Sequence, residues 1–142
     1  MLTRYLALPK AERRDLWSAS WRLILIRISL FSGIETTRGR FSGRSLCDRN
    51  QLEPQELKHW EQRALALRRA GSRLPDVHCL ARSLALRWWM RSAGIDADCI
   101  IGVRSQDGQV KSHAWVEVNG RPIDEAPEIV DLYQVLKTRT IS

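Results

Sequence analysis

Cys79 is the residue in this sequence best placed to act as a nucleophile. Pro75 and Asp76 precede a run in which Leu80, Leu84 and Trp88 share one helical face, which predicts a helix over 76–92 with Asp76 as its N-cap. Cys79 then stands in the first turn, at the third helical position. Unpaired backbone N–H groups and the positive end of the helix dipole favour an anion there, and the thiolate is the form of cysteine that attacks carbonyls. Filling a core gap is the competing reading of any single free thiol. Cys47, in a stretch without periodicity, and Cys99, inside the apolar run Ala97 to Val103, lack such a setting. Cys99 reads as core.

A thiolate needs a base, and strand alternation supplies one. Ala114, Val116 and Val118 form an apolar face, with His113, Trp115 and Glu117 on the other. Asn119-Gly120 is the favoured pair for a two-residue type I′ hairpin, which pairs Val118 with Arg121 and hence Trp115 with Asp124. Asp124 then shares a face with His113 on the diagonal of the ladder, where a carboxylate can hold the imidazole in the tautomer a general base needs. Glu125 points to the other face in that register; a one-residue bulge, which Pro122 makes possible, would exchange the two. His78 adjoins Cys79, but consecutive helical residues do not face each other. His59 lies beside Trp60 within a helix and reads as structural or exposed.

The elements that must position these groups are legible as patterns. Pro9 opens a first helix over 10–31, in which Leu16, Trp17, Leu23, Ile24 and Phe31 recur at helical spacing up to Gly33. Residues 32–49 collect Ser, Thr, Gly and Arg and read as a mobile linker. Pro54 opens a second helix with Leu57, Trp60, Ala64 and Leu67 on one stripe, stopped by Gly71. After the cysteine helix come strands over Ala97 to Val103, Lys111 to Val118 and Arg121 to Asp124, joined by Gln-Asp-Gly and Asn-Gly turns, and a short last helix over Asp131 to Lys137. The expected architecture is α+β, one domain over 1–142: a helical region over 1–73, then a core over 74–142 with a helix leading an antiparallel sheet.

Composition narrows the function classes. The three cysteines form no CxxC pair and the three histidines have no zinc-clip spacing, so neither a metal nor a disulfide framework is expected, and a reducing, cytoplasmic setting fits. The start of the chain shows no export signal. The most apolar stretch, Trp21 to Phe31, carries Arg22 and Arg27 and is shorter than the roughly 20 residues of a spanning helix. The net charge of +7 comes from the N-terminal half: Lys+Arg minus Asp+Glu is +8 over 1–75 and −1 over 76–142. A basic half opens a second class of function, a binding module for nucleic acid or an anionic membrane, although no helix-turn-helix or zinc-finger signature accompanies it. The six tryptophans read mainly as packing between helices and sheet.

The stretch LPDVHCLARSLALRWWMRSAGIDADCIIGV followed by SHAWVEVNGRPID resembles the leader peptidase of lasso-peptide biosynthesis, a transglutaminase-like cysteine protease, over residues 74–124. The resemblance implies a transglutaminase-like or papain-like core without cofactor and a triad of Cys79, His113 and Asp124. It further implies that the substrate is a ribosomally made precursor peptide, cut at its leader. The implied partners are a separate leader-binding recognition protein and a lasso cyclase, with no nucleic acid and no transmembrane segment. Because thioester chemistry leaves the second nucleophile open, acyl transfer to an amine of the transglutaminase type is the alternative enzyme reading.

Overall fold

The computed structural model describes residues 7–43, 49–74 and 78–136. Helix α1 (Lys10–Leu30) enters through Pro9, whose fixed φ suits the approach to a helix, and buries Leu16, Ala19, Leu23 and Ile26 on one face. Helix α2 (Ile34–Arg40) follows almost at once. Helix α3 (Pro54–Gly71) starts on Pro54, and the Glu53 backbone N–H donates to Glu56 Oε2 at 3.3 Å, half of a capping box. Helix α4 (Cys79–Ser92) carries the cysteine. Strands β1 (Ala97–Gln106), β2 (Gln109–Val118) and β3 (Arg121–Pro122), a one-turn helix α5 (Ile129–Leu132) and strand β4 (Gln134–Val135) complete the chain. The order β3-β2-β1-β4, antiparallel throughout, is the α+β architecture expected.

Local chemistry explains the hairpins. Asp107 and Gly108, then Asn119 and Gly120, all take positive φ, the type I′ requirement, and these turns set the pairs Gln106 with Gln109 and Val118 with Arg121. The core lies between α1, α3 and α4 and one face of the sheet: Leu23, Ile26, Leu67, Ala85 and Leu86 meet Ala97, Cys99, Ala114, Val116 and Val118. Tryptophan and arginine seal the helix layer. The Arg22 guanidinium lies 4.4 Å from the Trp21 ring and 4.6 Å from Trp89, and Arg63 lies 4.5 Å from Trp60 and 4.8 Å from Trp89.

Three expectations are corrected. The segment 32–49 is not a featureless linker: α2 occupies its first half, and the buried Thr37 hydroxyl donates to Gly33 O (2.8 Å), bringing that turn against Ser29 Oγ (3.0 Å). Polar side chains that pack inward carry no apolar periodicity, so the pattern was silent. The cysteine helix begins at Cys79 with His78 as N-cap, which makes Cys79 the first helical residue rather than the third. The last expected helix is shorter and earlier, over Ile129–Leu132, and Gln134–Val135 pairs with β1 as a strand. Asp76, Cys47 and Lys137, which figured in those expectations, lie outside the described residues.

Candidate active site

Cys79 opens α4 and is half-buried as a free thiol. As the first helical residue its N–H belongs to the unpaired set at the helix start, and its side chain borders a cavity of about 480 Å³. Leu65, Leu67 and Arg68 of α3, Ser83 and Leu86 of α4, Ala114 of β2 and the segment Ile123 to Ala126 complete much of the wall. Two carboxylates, Asp124 and Glu125, thus face the same space as the thiol.

The hairpin register is the one that Asn119-Gly120 dictates, and within it the carboxylate hydrogen-bonded to the imidazole is Glu125, with Asp124 nearby. His113 Nε2 lies 2.8 Å from Glu125 Oε1. The ladder shows why. Glu117 pairs with Pro122, whose missing N–H falls on the free edge of β3, and the Ile123 N–H still donates to Val116 O at 2.9 Å. Then the Asp124 side chain turns back and its Oδ1 accepts the Val116 N–H at 2.8 Å, in the place a backbone carbonyl would take. A side-chain cap ends the strand, and the chain leaves it in a turn that delivers Glu125 to His113. Arg68 fixes that turn from α3: its Nη2 donates to Asp124 O at 3.2 Å and stands 3.5 Å from Glu125 Oε1.

Burial pushes the Asp124 carboxyl up to about 6, against the Val116 N–H bond and the nearby His113, which favour the ionised form. Cys99 is buried and its thiol is raised to about 12 by desolvation, which makes it inert at neutral pH and confirms it as core.

His113 is held on its ring face as well as at its nitrogen. The Trp115 ring stacks 6.2 Å away at 27°, and the Tyr133 ring, between α5 and β4, lies 5.6 Å away at 35°. Trp115 is fully buried, on the sheet face opposite α4, and its Nε1 donates to Glu117 Oε1 at 2.7 Å. The residue opposite His113 on β1 is Gly102. A Cβ there would lie 2.7 Å from Tyr133 Cβ and 2.8 Å from the Trp115 ring, so only glycine lets both rings lie over β1. Arg104 caps the outer side of Tyr133 at 5.0 Å.

The site therefore gathers Cys79, Asp124 and Glu125 around one cavity and joins His113 to it through Glu125. No hydrogen bond links Cys79 to His113 among the described residues; in unliganded enzymes such a bond often tightens only with substrate in place. His78 and His59 are exposed and are not among the residues that line the cavity. Sequence reasoning named Cys79, His113 and both carboxylates but missed Arg68, Tyr133 and Gly102. Only Gly102 advertised itself, as a glycine in the middle of an apolar strand, a sign that something approaches closely. No cluster of His, Cys, Asp or Glu among the described residues could hold a metal ion.

Comparison with known proteins bears on this arrangement. The family model of the transglutaminase-like superfamily matches residues 23–138. Over 58 residues, 41% of the chain, the sequence is 45% identical to the microcin J25-processing protein McjB of Escherichia coli, and the matched stretch spans only 27% of that protein's length. No solved structure matches.

Proposed function

Because the chain belongs to the transglutaminase-like superfamily, we propose that it is a cysteine peptidase that removes the leader from a ribosomally made lasso-peptide precursor, working in the cytoplasm with a leader-binding protein and upstream of a macrolactam-forming cyclase. The observation that carries the reading is the thiol at the head of α4 opening on the same cavity as a carboxylate that grips His113. The likeness to McjB, by its name a protein that processes microcin J25, supports the substrate class.

In this reading His113 takes the Cys79 proton, Sγ attacks the scissile carbonyl, and the departing amine receives that proton from His113. Water then attacks the thioester with His113 as base, freeing the new carboxyl terminus and restoring the thiol. The Cys79 N–H at the start of α4 is a donor for the oxyanion. Glu125 orients the imidazole, in the role the family resemblance gave to Asp124; Asp124 ends the strand so that Glu125 arrives, and Arg68 holds the turn. Arg68 brings its guanidinium to 3.5 Å from Glu125 Oε1, on the carboxylate that faces the imidazole which becomes charged in the transition state.

The test is mass spectrometry of a precursor peptide incubated with its leader-binding protein and either wild-type or Cys79→Ala enzyme. Cutting at the leader–core junction by wild type alone is expected. Equal cutting by Cys79→Ala would remove the proposal, and a leader fragment bearing an added amine instead of water would replace hydrolysis by acyl transfer.

A further inference from the structure

Both faces of α1 carry apolar residues, and among the described residues only one of the two is covered. Leu16, Ala19, Leu23 and Ile26 face inward against α3 and α4. Facing outward, Trp17 is 68% exposed, Ile28 61% and Phe31 88%, with Ile24 and Leu25 also open to solvent. At about 100° per residue, Trp17, Ile24, Ile28 and Phe31 fall within one narrow stripe running roughly 20 Å along the helix. Ile34, the first residue of α2, is also exposed. Amphipathic helices on protein surfaces present polar residues outward. A contiguous apolar stripe in that position marks an interaction surface.

Charge identifies the partner. Lys10, Arg13 and Arg14 surround Trp17 at one end of the stripe, lining a shallow concavity with it. The same angular arithmetic puts all three cations on the outer side of α1. The two carboxylates of the helix are engaged elsewhere: Asp15 is buried 3.7 Å from Arg63, and Glu12 lies 4.0 Å from Arg69 of α3. The exposed side of α1 is thus apolar and cationic with no acid of its own. A convex helix edge of Trp, Ile and Phe beside a cluster of Lys and Arg fits a bilayer surface, where the rings enter the acyl boundary and the cations meet lipid phosphates. No helix among the described residues is long and apolar enough to cross a membrane, so the contact is lateral.

We infer that the outer face of α1 docks this protein on an anionic phospholipid surface, with Trp17, Ile28 and Phe31 inserted and Lys10 and Arg14 paired to headgroups. The inference is independent of the peptidase chemistry. The test is co-sedimentation of the full chain with vesicles of phosphatidylcholine alone or with roughly one-third phosphatidylglycerol. Wild type is expected to bind the anionic vesicles at least tenfold more tightly than the neutral ones. The double variant Ile28→Asp/Phe31→Asp, which alters only exposed side chains, should lose about tenfold while its thermal melt and cleavage of a soluble precursor stay unchanged. Lys10→Gln/Arg14→Gln should weaken binding and blunt its salt dependence. Absence of binding by folded wild type would overturn the inference and leave the face to a protein partner. Undiminished binding by the Asp variant would overturn it equally, reducing the effect to diffuse attraction by a basic chain.

Discussion

Two clusters of aromatic rings and cationic or ionisable side chains lie on either side of the sheet, and they do different things. On the helix side, Trp21, Trp60, Trp88 and Trp89 enclose the guanidiniums of Arg22 and Arg63. On the far side, Trp115 and Tyr133 flank His113. The first cluster desolvates its charges in part: burial lowers the proton affinity of both arginines below the ordinary guanidinium value, and the Nε of each is buried without a hydrogen-bond partner. The second leaves a titratable ring half-open and gives its nitrogen a carboxylate. Rings around a permanent charge make an adhesive between helices. Rings around an imidazole held at one nitrogen by a carboxylate position the base of the proposed mechanism.

The largest test of that contrast is functional. His113→Ala should lower the rate of precursor cleavage by about a thousandfold, the range of a lost general base, while moving the melting temperature little. Glu125→Gln should cost roughly ten- to a hundredfold in kcat, and Asp124→Asn less, since an amide oxygen can still accept the Val116 N–H. The reverse ranking, read from single-turnover rates, would return the orienting role to Asp124.

Stability against pH sharpens the picture next. The Asp124 acid is raised from 3.8 unfolded to about 6 folded, so the folded state binds the extra proton between those values. Its contribution therefore makes the protein more stable as pH falls from 6 to 4, by an amount on the order of 3 kcal/mol at full effect. Above pH 6 that gain is absent. Denaturant titrations of wild type and Asp124→Asn should differ in slope over this window, the variant being flatter; parallel curves would mean that Asp124 is not desolvated.

Gly102→Ala puts a methyl group into Tyr133 and Trp115, and an overpacked contact of this kind costs about 1–3 kcal/mol. Because the same rings set the face of His113, activity should fall further than stability predicts, with the pH–rate profile displaced; an unchanged profile would confine the rings to packing. The smallest effect separates the two arginines of the tryptophan cluster. Arg63→Met removes two ring contacts and leaves the buried Asp15 without its cation, which should cost roughly 2 kcal/mol. Arg22→Met keeps apolar contact and relieves the repulsion of Arg63, so its cost should stay below about 1 kcal/mol. Equal costs from chemical denaturation would show that ring contact alone carries both.

What the sequence by itself determined is everything set within a few residues of chain. Pro9 and Pro54 mark helix entrances, Asn119-Gly120 fixes the register of β2 on β3, alternation sorts Ala114 and Val116 from His113 and Trp115, and the apolar run around Cys99 places that thiol in the core. Each depends on local φ/ψ preference or on a periodicity of apolar residues, and both are written along the chain. The tertiary structure decided the rest. Asp124 and Glu125 are neighbours with the same charge, and which of them meets His113 depends on one side chain capturing the Val116 N–H and on Arg68, 56 residues away, bracing the turn. Tyr133 reaches His113 only because β4 returns to β1 beside Gly102. The inward polar packing of Thr37, which makes α2 part of the fold, leaves no apolar pattern to read. Hydrogen bonds and ring contacts between segments distant in sequence have no period, so the chain declares the candidate groups and the packing selects among them.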